Sequence, residues 1–230
     1  MLKKFFKYFT LTEWILWLSS IAVITVGFIL GKDKSVLSYL SSLAGVTCVI
    51  VNAKGNALGQ FVSIVFAILY AVYAYQQRYY GEMLIYLLLM LPIHIVSVIT
   101  WMRNKFDGKS HEVKINSLCP AEYVLTGIGA AAATAAFYFI LRALNTDNLI
   151  VSTISLTTSI TAAYLMLRRS EFFSILFILN DIVLIVLWSM KLASVGTEVL
   201  PSVIAFSMFL INDTYCFISW QKIKRRQRKI

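Results

Sequence analysis

Eight apolar stretches, at about 11–31, 35–52, 55–77, 82–102, 119–145, 149–167, 171–191 and 198–221, divide the 230-residue chain, with short polar loops between them. Each is near the ~20 residues needed to cross ~30 Å of hydrocarbon at 1.5 Å per residue. Continuous apolar runs of this length predict membrane-spanning helices rather than strands. The longest polar gap, Arg103 to Leu118, reads as a loop and leaves no room for a separate soluble domain. The pattern therefore predicts an all-α polytopic membrane protein of about eight transmembrane helices, a single membrane domain over 1–230.

Charge orients this pattern. If the first residue is cytosolic, 16 of the 21 Lys and Arg fall in cytosolic segments, and only Lys32, Lys34, Arg78, Arg142 and Lys191 lie outside. That is the bias that sets topology, and it predicts a bacterial inner (cytoplasmic) membrane protein with both termini cytosolic. The net charge of +10 does not point to nucleic acid, because the basic residues flank span ends instead of forming a folded basic face. The basic tail at 223–230 reads as a topology signal and a contact for anionic membrane lipids. No small-x-small cleavage site follows Leu30, so the opening Met1–Lys7 and the run after it read as a retained first span. Cys48, Cys119 and Cys216 are widely spaced, and His94 and His111 are the only histidines. No disulfide framework, metal site or cofactor is expected from them.

The chain also reads as a duplication. Ile99-Thr100-Trp101-Met102-Arg103 and Ile218-Ser219-Trp220-Gln221-Lys222 match at an offset of 119 residues, which places Leu91 opposite Leu210 and His94 opposite Asp213. Two parallel three-helix repeats, 35–102 and 149–222, are expected, joined by a linker helix at 119–145 and preceded by an extra N-terminal span at 11–31. Each repeat opens on a face of small and hydroxyl residues, Ser38, Ser41, Ser42 and Gly45 in one and Ser152, Ser155, Thr158 and Ser159 in the other. Such faces allow close helix approach. Gly127, Ala131 and Ala135 give the linker a similar face, predicting a helix packed along much of its length, with an oligomer contact as the alternative.

Polar groups inside spans are costly and mark function. Asp181 lies near mid-membrane on one face with Ser174, Phe177 and Trp188, beside Asn180. The last span carries Phe209, Asn212, Asp213, Cys216 and Trp220. The fourth has Pro92, His94, Ser97 and Trp101, with Pro92 freeing the carbonyl of Leu88 for a bend beside a cavity. The third shows Asn56, Gln60, Ser63, Tyr70 and Gln77 at helical spacing. Trp101 and Trp220 also occupy the span ends where belt residues gather, and Asn180 and Asn212 suit interhelical hydrogen bonding equally well. Candidate substrate-binding residues are Gln60, Tyr70, His94, Phe177, Asn180, Asp181, Trp188, Asn212 and Asp213. Amides, hydroxyls, carboxylates and aromatic faces suit a flat, hydrogen-bonding ligand that is uncharged or singly cationic. Phosphate is disfavoured, since the expected spans hold no interior Arg or Lys. Asp181 and Asp213 also match an intramembrane aspartyl enzyme, but the Gly-x-Gly-Asp pattern is absent, and no catalytic residue is assigned.

The run Tyr80-Gly81-Glu82-Met83-Leu84-Ile85 ending in Trp101, Arg168-Arg169 before Asn180-Asp181-Ile182-Val183, and Asn212-Asp213-Thr214-Tyr215 before Trp220 resemble the PnuC family of vitamin and nucleoside transporters over about 35–222. The resemblance implies a SWEET-like fold, a homotrimer, and uptake of nicotinamide riboside by facilitated diffusion with trapping by cytosolic phosphorylation. A deoxynucleoside, thiamine or riboflavin is the alternative ligand. This chain departs from the family pattern at His94, where Asn is frequent, and at Ser174, Phe177 and Asp181, which stand where Trp-x-x-Trp-x-x-x-Asn is usual.

Overall fold

Thr10 starts the first helix with a capping box. Its hydroxyl accepts from Glu13 N at 3.3 Å, and its own N–H donates to Glu13 Oε2 at 2.7 Å. The computed structural model describes residues 8–32, 35–107 and 111–229. Lys3, Lys4, Lys7, Lys34 and Lys109, which are counted in the charge pattern above, lie outside the described residues. The described residues are almost wholly helical: α1 Leu11–Leu30, α2 Val36–Asn52, α3 Ala57–Gln76, α4 Tyr80–Leu84, a π-helical segment Ile85–Met90, α5 Leu91–Arg103, α6 Pro120–Ala143, α7 Leu149–Leu167, α8 Phe173–Val195 and α9 Leu200–Gln227. Seven helical stretches are long and apolar enough to cross a membrane, Tyr80–Arg103 counted as one, and α2 is a shorter apolar helix. The polytopic all-helical expectation holds.

Local chemistry sets the breaks. Gly55 adopts φ +65° between α2 and α3, and the Asn56 side chain then caps α3 by accepting from Leu58 N at 3.0 Å. Proline opens α6 and α9, where its missing N–H is harmless. The fourth span holds a π-helical segment, Ile85–Met90, immediately before Leu91 and Pro92.

α1 packs on α2 and α9, and the α2–α3 and α8–α9 pairs lie against each other around the centre. The linker departs from expectation. Among the described residues α6 packs chiefly against α7, with Leu141 near its C-terminal end reaching Gly81 of α4, and an added Cβ at Gly127 or Gly129 would meet nothing within 4 Å. Gly127, Ala131 and Ala135 are exposed, so this face is not consumed inside the chain.

Trp101 and Trp220 do not face lipid as belt residues would. They are 1% and 0% exposed, and their rings lie 5.4 Å apart. Trp101 Nε1 donates to Met166 O, at the end of α7, at 3.1 Å, while Trp220 Nε1 donates to Asn52 O, at the end of α2, at 2.9 Å. Each indole thus adds a second hydrogen bond to a carbonyl in the last turn of a helix from the other half of the chain, where Met166 O already accepts from Arg169 N and Asn52 O from Gly55 N.

The basic end of the bundle is laced by the 103–118 loop. Val113 N donates to Gly55 O at 2.8 Å and Asn116 N to Arg169 O at 3.1 Å. The basic tail is a continuation of α9 rather than a separate element: Lys224 pairs with Glu171, Arg226 with Glu112, and Gln227 Nε2 donates to Val113 O at 3.0 Å. Burial beside Arg168 holds the Arg169 guanidinium below its ordinary range.

Candidate functional site

A cavity lies between α2, α3, the π-helical segment, α5, α7, α8 and α9, drawing residues from both halves of the chain. Asp181 and Asp213 line it, 4% and 5% exposed, with their carboxyl groups near enough to influence each other. Asp181 Oδ2 has no hydrogen-bond partner. Two carboxyl groups this close in a low-dielectric site are stabilised by a cation or by sharing a proton.

Neighbouring polar groups are fixed by directional chains. Asn180 Oδ1 accepts from Ser155, Thr158 and Ser159 at 3.3, 2.8 and 3.0 Å, so the hydroxyl face of α7 serves to hold this amide. On the other side, Ser63 spends its proton on Gly59 O at 2.9 Å and therefore accepts from Asn52 Nδ2 at 3.2 Å. Asn52 Oδ1 is left to accept from Gln60 Nε2 at 2.9 Å. Gln60 Oε1 then lies 2.9 Å from His94 Nδ1, which must be the protonated ring nitrogen. Nε2 of His94 is accordingly the acceptor left for the cavity.

The candidate residues divide. His94, Phe177, Asn180, Asp181 and Asp213 line the cavity. Gln60 is fully buried one layer behind, orienting His94. Tyr70 and Trp188 stand apart in an aromatic cluster near the end opposite the basic face. Trp188 Nε1 donates to Tyr70 OH at 3.0 Å, and its ring stacks on Tyr73 at 5.3 Å. Tyr79 completes the cluster edge-on to Trp188; burial pushes its phenol up to about 12, and it donates to Leu187 O at 3.1 Å. Asn212 also lies outside the cavity, donating to Ser20 Oγ of α1 at 2.8 Å and to Met208 O at 2.7 Å. Its replacement by Ala is expected to cost roughly 1 kcal/mol of stability by uncoupling α1, with ligand affinity within about twofold; thermal unfolding and calorimetry on the purified variant test this.

Sequence reasoning missed Phe66 and Tyr86 as lining groups. Phe66 meets Tyr86 and Phe209 edge-on, each at 5.6 Å. Phe66 follows Gln60 and Ser63 at three-residue steps, the signal that would have found it. The cavity volume is about 60 Å³, room for a few waters. Trp101, Trp220 and Phe173 belong to one buried cluster, on the side of the basic end, and Tyr70, Tyr73 and Trp188 to another.

Residues 35–222 match the model of the family described as "Nicotinamide mononucleotide transporter". The chain belongs to this family. The nicotinamide riboside transporter PnuC of Neisseria mucosa is 27% identical over 204 residues, which are 87% of this chain and 77% of that protein. The Haemophilus influenzae protein of the same name is 23% identical over 215 residues, 92% and 91% of the two chains. A structure described as the vitamin B3 transporter PnuC superposes with a TM-score of 0.84 and 26% identity, covering 95% of this chain and 94% of that one. Membership in this family makes the protein a membrane transporter rather than an enzyme, so the aspartyl pair is not a protease centre.

Proposed function

We propose that this protein carries nicotinamide riboside across the bacterial inner membrane by facilitated diffusion, with phosphorylation in the cytosol trapping the product. The observation that carries this reading is the paired Asp181 and Asp213 in a cavity whose lining includes no Lys or Arg. A pyridinium nucleoside brings one positive charge and ribose hydroxyls. The carboxylates complement the charge, Phe177 and Phe66 offer ring faces, and Asn180 and His94 Nε2 offer polar partners. A phosphate would bring negative charge against two carboxyl groups with no guanidinium or ammonium to receive it. The riboside therefore fits this cavity better than its mononucleotide. Uptake of labelled nicotinamide riboside into proteoliposomes, with thiamine, riboflavin and deoxynucleosides as competitors, tests the choice of ligand: the riboside is expected to compete best.

We read the chain as two parallel repeats with this cavity at their interface, a reading supported by the reciprocal bonds of Trp101 and Trp220. The unfilled Gly127, Ala131 and Ala135 face of α6 is the proposed contact in a homotrimer. The basic face is proposed to be cytosolic. In intact cells a membrane-impermeant thiol reagent is expected to label Gly196→Cys and spare Lys222→Cys; the reverse result would contradict this orientation.

A further inference from the structure

Glu82 is used by nothing described above. It is 0% exposed, and neither carboxyl oxygen has a hydrogen-bond partner. Two other buried glutamates away from the cavity are neutralised: Glu13 by Lys54 at 2.9 Å, and Glu171 by Lys224. Among the described residues no Lys or Arg pairs with Glu82. A carboxylate buried for structural reasons comes with donors, as those two do, because an unpaired one is costly.

Besides the Ser155 hydroxyl, three tyrosines lie near Glu82. Tyr70, Tyr79 and Tyr86 are its electrostatic neighbours, with the rings of Tyr70 and Tyr86 4.5 Å apart and Trp188 bonded to Tyr70. These rings are suited to cations. Lys191, held by Asp147 at 2.9 Å, already lies with its Nζ 5.2 Å from the centre of the Tyr79 ring. A carboxylate without a cation, walled by electron-rich rings, is the chemistry that receives a flat organic cation.

We propose that Glu82 and its tyrosines form a second station for the positively charged ring, passed on the way between the face opposite the basic end and the Asp181–Asp213 cavity. This rests on the proposed transport of a pyridinium nucleoside. Two features link the station to the cavity. The Ser155 hydroxyl is within reach of Glu82, yet gives the longest of the three bonds to Asn180 Oδ1, at 3.3 Å. It can turn to Glu82 while Thr158 and Ser159 keep Asn180 in place. The π-helical segment Ile85–Met90 begins three residues after Glu82, and Pro92 follows, so the five-residue α4 is joined to α5 by the weakest backbone of its span. That joint lets α4 tilt to make the room a ring needs.

A station lowers the barrier in both directions without being the final site. Stopped-flow tryptophan fluorescence with nicotinamide riboside, on the purified full-length protein, separates these effects. Glu82→Gln is expected to slow association and dissociation alike, each by roughly tenfold, and to leave the equilibrium affinity within about twofold. Glu82→Asp, which keeps the charge, is expected to recover most of both rates. Unchanged rates in Glu82→Gln, or an affinity that falls as far as the association rate, would overturn the station. If Glu82→Gln does not assemble, Glu82→Asp and Tyr79→Leu, outside the cavity lining, carry the test: near-wild-type rates in the first and slowing of both rates in the second are expected, and wild-type rates in Tyr79→Leu overturn the idea. A wild-type protein that does not bind the riboside overturns the proposed function itself, whereas wild-type binding with a silent Glu82→Gln removes only the station.

Discussion

Asp181→Ala is expected to weaken nicotinamide riboside binding by roughly 30- to 150-fold, the equivalent of about 2–3 kcal/mol for a buried, charge-assisted partner. The size follows from the surroundings. Asp181 is 4% exposed, one of its oxygens is unpartnered, and no basic side chain in the cavity lining competes with a ligand for it. Coulomb attraction to a cation in such a site is stronger than in water. Asp181→Asn separates charge from hydrogen bonding. If charge carries the effect, Asn behaves like Ala toward the riboside and spares uncharged nucleosides. Because Asp213 stands beside it, the double replacement of Asp181 and Asp213 by Asn is expected to abolish the preference for a cation altogether. Isothermal titration calorimetry on the detergent-solubilised variants reads all three. Wild-type affinity in Asp181→Ala would return this residue to a structural role.

The largest expected effect on stability is at Gly59. An added Cβ there would stand 2.1 Å from Asn52 Oδ1 and 2.7 Å from the Asn52 backbone N, and the latter cannot swing away. Gly59→Ala must therefore separate α2 from α3 where they pack closest. The same displacement breaks the Ser63–Asn52–Gln60–His94 chain and disturbs Asn52 O, the acceptor of Trp220. We expect a loss of about 3 kcal/mol, at the upper end of overpacking costs, and a sharply reduced yield of monodisperse protein. A thermal-shift measurement checks it. An unchanged melting temperature would mean that the two helices are free to part.

The spans were legible because a run of ~20 apolar residues matches the thickness of a bilayer's hydrocarbon and little else. Asp181 and Asp213 were legible for a related reason: a carboxylate deep in an apolar run is too costly to keep by chance. What periodicity could not supply was the neighbour across the helix interface. Trp188 and Asp181 share a face of α8, yet seven residues separate them by about 10 Å along the axis, enough to place one in the cavity and the other in the aromatic cluster. Asn212 and Asp213 are adjacent in sequence and point a third of a turn apart, so one reaches α1 and the other the cavity. Trp101 and Trp220 show the same gap, since a span end can face lipid or a partner helix and the sequence pattern is identical. Glu82 enters the sequence reading only within the Tyr80–Ile85 run and not as a site, because it sits in the first turn of its span, where an acidic residue favours the helix N-terminus. Only its burial sets it apart.

A paired-carboxylate cavity without basic groups should select the pyridinium riboside over its phosphorylated form. Calorimetric titration of the purified protein with nicotinamide riboside and, separately, with nicotinamide mononucleotide tests this most directly. The riboside is expected to bind, and the mononucleotide to bind at least a hundredfold more weakly, about 2.7 kcal/mol of discrimination. Equal or tighter binding of the mononucleotide would contradict the role assigned to the two carboxylates.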